Sequence, residues 1–155
     1  EGAATRANLT RIANVEQRKS NEMIGAELGY RYAGSPVIWP EQGPPPEHDF
    51  MTYVPSTWPG SRLPHVWLDD GAALHDRIGD GYTLLRLAGS RIDAAPLARA
   101  FGLCAAPFAV LDVPDARVRE VYGADLLLLR PDLHVVWRGS RLDDPIRLAA
   151  VATGH

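Results

Sequence analysis

Sulfur is almost absent from this chain, whose one cysteine is Cys104. That excludes an internal disulfide framework and fits a reducing compartment, so a cytoplasmic location is expected. Cys104 has no adjacent His or Lys to lower its pKa, and it reads as a buried or half-buried structural thiol. Lysine is just as scarce, with Lys19 alone. The 16 Lys+Arg are outnumbered by 19 Asp+Glu, which leaves a net charge of −3. No clustered basic surface is available for nucleic acid or an anionic membrane. No apolar run approaches the roughly 18–20 residues of a membrane span, and the amino terminus lacks a charged-then-apolar signal pattern. The histidines, at 48, 65, 75, 134 and 155, show no spacing that would put two ligands on one face, so no metal is expected. Nucleophile-elbow, phosphate-loop and metalloprotease motifs are missing as well. Gly79-Asp80-Gly81 precedes a strand where a dinucleotide loop would follow one.

What is present is enough to fold. With 155 residues and 46% hydrophobic content, the chain can bury one core of about 100 residues and carry an extension. Residues 7–28 read as a helix ending at Gly29, with Leu9, Ile12, Val15, Ile24 and Leu28 in partial helical period. From Glu16 to Glu22 the pattern is polar on every face. This helix is either solvated and held at its ends, or set against a neighbouring domain. Residues 35–64 hold eight of the 13 prolines, and also Trp39, Phe50, Tyr53 and Trp58. Proline excludes a helix or central strand there, and that many aromatics favour burial. An extended arm lying on a surface, its own or a partner's, accounts for both.

The remaining chain alternates: strand 65–68, helix 73–78, strand 82–87, helix 94–101 ending at Gly102, strand 108–113 and a short helix at 115–122. A hairpin of 126–129 and 135–137 follows, then a helix opening at Asp143-Asp144-Pro145. Leu126-Leu127-Leu128-Leu129 suits a strand covered on both faces. The order gives an α/β fold with a mixed sheet, a carboxy-terminal β-hairpin and helices on both faces. Three parts are expected: 1–34, a tail helix; 35–58, the Pro/aromatic arm; and 59–155, the globular domain.

Pro59 to Leu68, the strand at 82–87 and Tyr122-Gly123-Ala124-Asp125 before the hairpin are similar to thioredoxin-like domains. The two functional places differ. Ala88-Gly89-Ser90 stands where a reactive cysteine would follow the strand, and Ala124-Asp125 stands where a residue and cis-proline would lie. The resemblance therefore implies a redox-inactive scaffold.

A more specific resemblance spans nearly the whole chain. Glu27-Leu28-Gly29-Tyr30-Arg31-Tyr32, Ser35-Pro36-Val37, Pro59 to Leu68, Leu111-Asp112-Val113 and Leu129-Arg130-Pro131-Asp132 with His134-Val135 and Trp137-Arg138-Gly139 resemble the carboxy-terminal third of flavin-dependent aromatic-ring hydroxylases, the phenol-hydroxylase-like and hydroxyphenylpropionate-hydroxylase-like monooxygenases. It implies an FAD- and NAD(P)H-dependent enzyme that hydroxylates a phenolic ring, with FAD held by an amino-terminal FAD/substrate region of the same polypeptide. No catalytic, cofactor-binding or metal residue is expected in this chain. The implied partner is that flavin region, and a homodimer is a further contact the resemblance admits.

Tyr30, Arg31, Tyr32 and Trp39 combine apolar area with hydrogen-bond donors, the composition of contact surfaces. They are expected to meet the flavin region, while Arg62, His65 and Trp67 are expected to fix the arm to the core. Two other readings stand beside this one: a stand-alone, redox-inactive thioredoxin-like module that presents its arm to a protein, and a degenerate peroxidase using Cys104.

Overall fold

The computed structural model describes residues 2–17 and 22–155. Two compact units emerge, Glu1–Tyr30 with Glu47–Val54, and Arg31–Pro46 with Pro55–His155. The expected arm at 35–58 is thus divided between them.

In the first unit, helix α1 (Gly2–Ile12) runs into a π-helical turn, Ala13–Gln17. It starts earlier than the apolar period suggests. No residue of α1 is buried, and Leu9, Ile12 and Val15 are 59%, 41% and 44% exposed. The continuous helix expected over 7–28 passes through 18–21, which lie outside the described residues. Helix α2 (Ile24–Leu28) ends as expected at Gly29, whose N–H bonds the Gly25 carbonyl at 2.9 Å. Gly25 is required by close approach, because a Cβ there would run into the carbonyls of Asp49 and Thr52. The Ala26 N–H donates to Phe50 O (3.1 Å), and His48 Nε2–H donates to Gly25 O (3.2 Å).

The second unit is built on a mixed sheet in the order β2-β1-β3-β4. Strand β1 (Tyr82–Leu87) pairs in parallel with β2 (Phe108–Val113) and antiparallel with β3 (Leu126–Leu129), which hairpins into β4 (Val135–Gly139). Helix α3 (Ala95–Leu103) crosses between β1 and β2. Helix α4 (Ala116–Tyr122) precedes the hairpin, and α5 (Pro145–Thr153) follows it. This is the topology expected of a thioredoxin-like domain. The leucine run alternates between two cores. Leu127 and Leu129 join Leu85, Leu87, Val118 of α4 and Tyr122 on one face. Leu126 and Leu128 join Leu84, Leu97 and Phe101 of α3, and Leu148 of α5, on the other. All four are fully buried.

Two local expectations are corrected. Residues 65–68 form no named strand, because the turn at Leu68–Ala72 closes so soon that only Trp67 and Ala73 pair. Val66 and Leu68 still pack toward the core while Trp67 is 63% exposed, so the alternation is real but lacks a partner strand. Helix α3 runs through Gly102 to Leu103. Its stop is set by Ala105, in the left-handed region at φ 52°, and by Pro107.

Candidate functional site

Strand β4 is an edge of the named sheet, and the Pro-rich segment covers it. The Gly60 N–H donates to Val135 O (2.7 Å), the Val135 N–H to Ser61 O (2.9 Å), and the Leu63 N–H to Leu133 O (2.8 Å). Pro59 and Pro64 bracket this stretch, so it protects the edge without continuing as a full strand. Further out, the Trp39 N–H donates to Val136 O (3.0 Å). Gly60 is essential to the fit: its φ is 91°, and a Cβ would lie 3.1 Å from Tyr32 O.

Side chains lock the cover in place. Arg138 on β4 forks onto Glu41, with Nη2 2.6 Å and Nε 2.9 Å from its two carboxylate oxygens. Its Nη1 donates to Thr57 Oγ1 (3.0 Å), which in turn donates to Tyr122 O (2.7 Å). The guanidinium also lies 5.5 Å from the Trp58 ring centroid. Bidentate, charge-assisted bonds of this kind hold geometry as well as energy. Glu41, Thr57 and Arg138 were missed in the sequence, since Glu and Arg 97 residues apart carry no local signal.

Arg31, Tyr32 and Trp39 come together around the arm. With Ile38, Pro45 and Trp58 they line a groove of about 510 Å³. Arg31 forms a backbone bridge with Ser61. Tyr32 donates its hydroxyl to Asp132 Oδ2 (3.0 Å), tilts against His134 (4.5 Å between centroids) and lies under Arg130 (5.1 Å). Burial alone would raise the Asp132 pKa, but the His134 N–H, the Tyr32 hydroxyl and the charges of His134 and Arg130 outweigh it. The carboxyl is held below its ordinary value. Trp39 is half-buried, with Arg147 of α5 5.0 Å from its ring centroid. Tyr30 belongs to the first unit and is 56% exposed.

The second predicted group gathers at a different place. Arg62 bridges His134 through its backbone. His65 is exposed, edge-on to Trp67 (4.8 Å) and to His75 (5.4 Å). His75 Nε2–H donates to Leu63 O (3.1 Å). Burial first, then the positive charges of Arg62 and His65, hold the His75 pKa below its ordinary value.

An FAD pyrophosphate needs a glycine-lined cradle or an open helix start. All three helices that flank the sheet begin on a carboxylate of their own. Asp93 accepts from Ala95 N, Asp115 from Arg117 N, and Asp144 from Arg147 N, at 2.9, 2.9 and 3.0 Å. These helix starts do not fit a pyrophosphate. Among the described residues no group of three His, Cys, Asp or Glu could hold a metal, and no helix is long and apolar enough to cross a membrane. Cys104 is half-buried against the α3/α5 core.

Residues 56–154 match the model of the family "aromatic-ring hydroxylase, C-terminal". The chain is similar to the FAD-dependent monooxygenase apdD of Emericella nidulans, 35% identical over 144 residues, which are 86% of this chain and 23% of that protein. It is also similar to the phenol 2-monooxygenase of a Pseudomonas species, at 33% identity over 164 residues, 94% of this chain and 27% of the relative. Among solved structures, the rebeccamycin biosynthetic enzyme RebC with reduced flavin superposes with a TM-score of 0.79 at 26% identity, covering 99% of this chain and 28% of RebC. The flavin-dependent monooxygenase PieE, in complex with FAD and substrate, gives 0.75 at 28% identity, covering 99% of this chain and 30% of PieE. This chain thus spans about a quarter of the length of the curated relatives it matches. The chain belongs to the aromatic-ring hydroxylase carboxy-terminal domain family.

Proposed function

We propose that this chain is the accessory carboxy-terminal domain of a longer FAD-dependent, NAD(P)H-using monooxygenase that hydroxylates a phenolic or other aromatic substrate. The observation that carries this reading is α1, a helix without one buried residue, in a chain a quarter the length of its relatives. Its exposed Leu9, Ile12 and Val15 represent apolar area that a free-standing domain would gain by burying. The amino-terminal flavin region of the same polypeptide is the surface we assign to them, together with Tyr30, Arg31, Tyr32 and Trp39. Arg62, His65 and Trp67 remain our proposal for the joint between arm and core. FAD, when bound by that upstream region, supplies the oxygen-activating chemistry. This chain supplies contacts and shielding from solvent. No step of the reaction is assigned to its side chains, and a homodimer is compatible with the same surfaces.

The test compares the isolated chain with the longer protein that contains it. The longer protein should retain FAD through purification and oxidise NAD(P)H with an aromatic substrate. The isolated chain, mixed with FAD, should leave flavin fluorescence unchanged. Stoichiometric flavin on the isolated chain would refute the assignment.

A further inference from the structure

We propose that the groove between Arg31, Trp39 and Trp58 is the seat of an acidic segment of the upstream flavin region, with a carboxylate of that segment on Arg31. The proposal rests on the domain assignment made above and deepens it by naming the chemistry of the contact. The groove measures about 510 Å³ and its walls are mostly apolar, with Ile38, Trp39, Pro45, Trp58 and Val151 among them. Two charged residues line it, Arg31 and Glu41. Glu41 is already taken by the fork of Arg138. Arg31 is half-buried, and among the described residues its guanidinium has no ion-pair or hydrogen-bond partner. The indole N–H groups of Trp39 and Trp58 likewise have none.

Such a groove offers a half-buried positive charge with no partner among the described residues, and no unpaired carboxylate. Charge complementarity selects an anionic, acceptor-rich occupant with apolar neighbours. The rings of Trp39 and Trp58 already carry Arg147 and Arg138, at 5.0 and 5.5 Å, whereas the half-buried Arg31 is left to a planar carboxylate that can meet its fork with two parallel hydrogen bonds. Arg31 is also the residue at which the chain enters its second unit, and the relatives carry about three-quarters of their length outside the matched segment. An acidic stretch of that outer region is therefore the occupant we assign.

Hydrogen exchange over residues 31–45 tests the proposal in the isolated chain and in the longer protein, with flavin content measured on the same samples. Exchange should be at least about tenfold slower in the longer protein. Arg31→Glu should return it to the rate of the isolated chain, whereas Arg31→Lys should keep most of the protection. Flavin content should be the same in the wild-type, Arg31→Glu and Arg31→Lys forms of the longer protein. Equal exchange of the wild-type segment in both settings would overturn the proposal, as would an Arg31→Glu variant that stays protected. Slower exchange in the longer protein on adding 2-naphthoate would show a groove open to small aromatic anions, and would overturn it too. Absence of flavin from the wild-type longer protein would refute the domain assignment, and that result is read separately from the exchange.

Discussion

Single residues in this domain differ in weight according to what they hold together. Arg138 serves three partners at once: Glu41, Thr57 and the face of Trp58. Arg138→Leu leaves the half-buried Glu41 carboxylate without its guanidinium, and we expect a loss of about 1–3 kcal/mol in urea unfolding. Arg119→Leu, which breaks an exposed pair with Asp125, should cost less than about 1 kcal/mol. Equal losses would show that the arm is not clamped through Arg138. His75 sets a pH dependence of defined sign. Its folded-state pKa lies below the ordinary imidazole value, so the unfolded chain binds the proton more readily. Stability should therefore fall as pH drops from 7 through the imidazole range, and level off below the folded pKa. His75→Gln removes the titration, and its unfolding midpoint should change less between pH 7 and pH 5 than that of the wild type. An identical pH profile in the two proteins would count against this role.

Among the elements, β3 is the most demanding. A strand with one solvated face tolerates truncation at every second position, but β3 is buried on both faces. Leu127→Ala and Leu128→Ala empty opposite cores, and each should cost about 2–5 kcal/mol. Val110→Ala on the exposed side of β2 should stay within about 0.5 kcal/mol. A neutral Leu128→Ala would mean that α3 and α5 do not seal their face. The leucine run made this arrangement legible in the sequence, because four apolar residues in a row have no solvated alternative. The cap at Asp144 was legible for a similarly local reason, a carboxylate just before a proline at the first helical turn, whereas the cap at Asp115 emerges only in the structure. The segment at 65–68 was misread: its alternation is correct, but pairing depends on a partner strand that the sequence does not name. The groove was half legible. Arg31, Tyr32 and Trp39 stood out by composition, whereas Glu41, Thr57 and Arg138 depend on contacts across 81 and 97 residues.

At the scale of the whole molecule, the second unit carries its own two-sided core, while α1 carries apolar residues and no core of its own. That contrast is what supports our proposal that this chain is one part of a longer flavin enzyme. Thermal unfolding of Ile12→Asp, measured in the isolated chain and in the longer protein, tests it most directly. Our account expects no change of midpoint in the isolated chain, where Ile12 is 41% exposed and α1 buries nothing. In the longer protein it expects a clear drop, because the new carboxylate would be forced into an apolar contact. An unchanged midpoint in both settings would contradict the claim that α1 is seated on the flavin region.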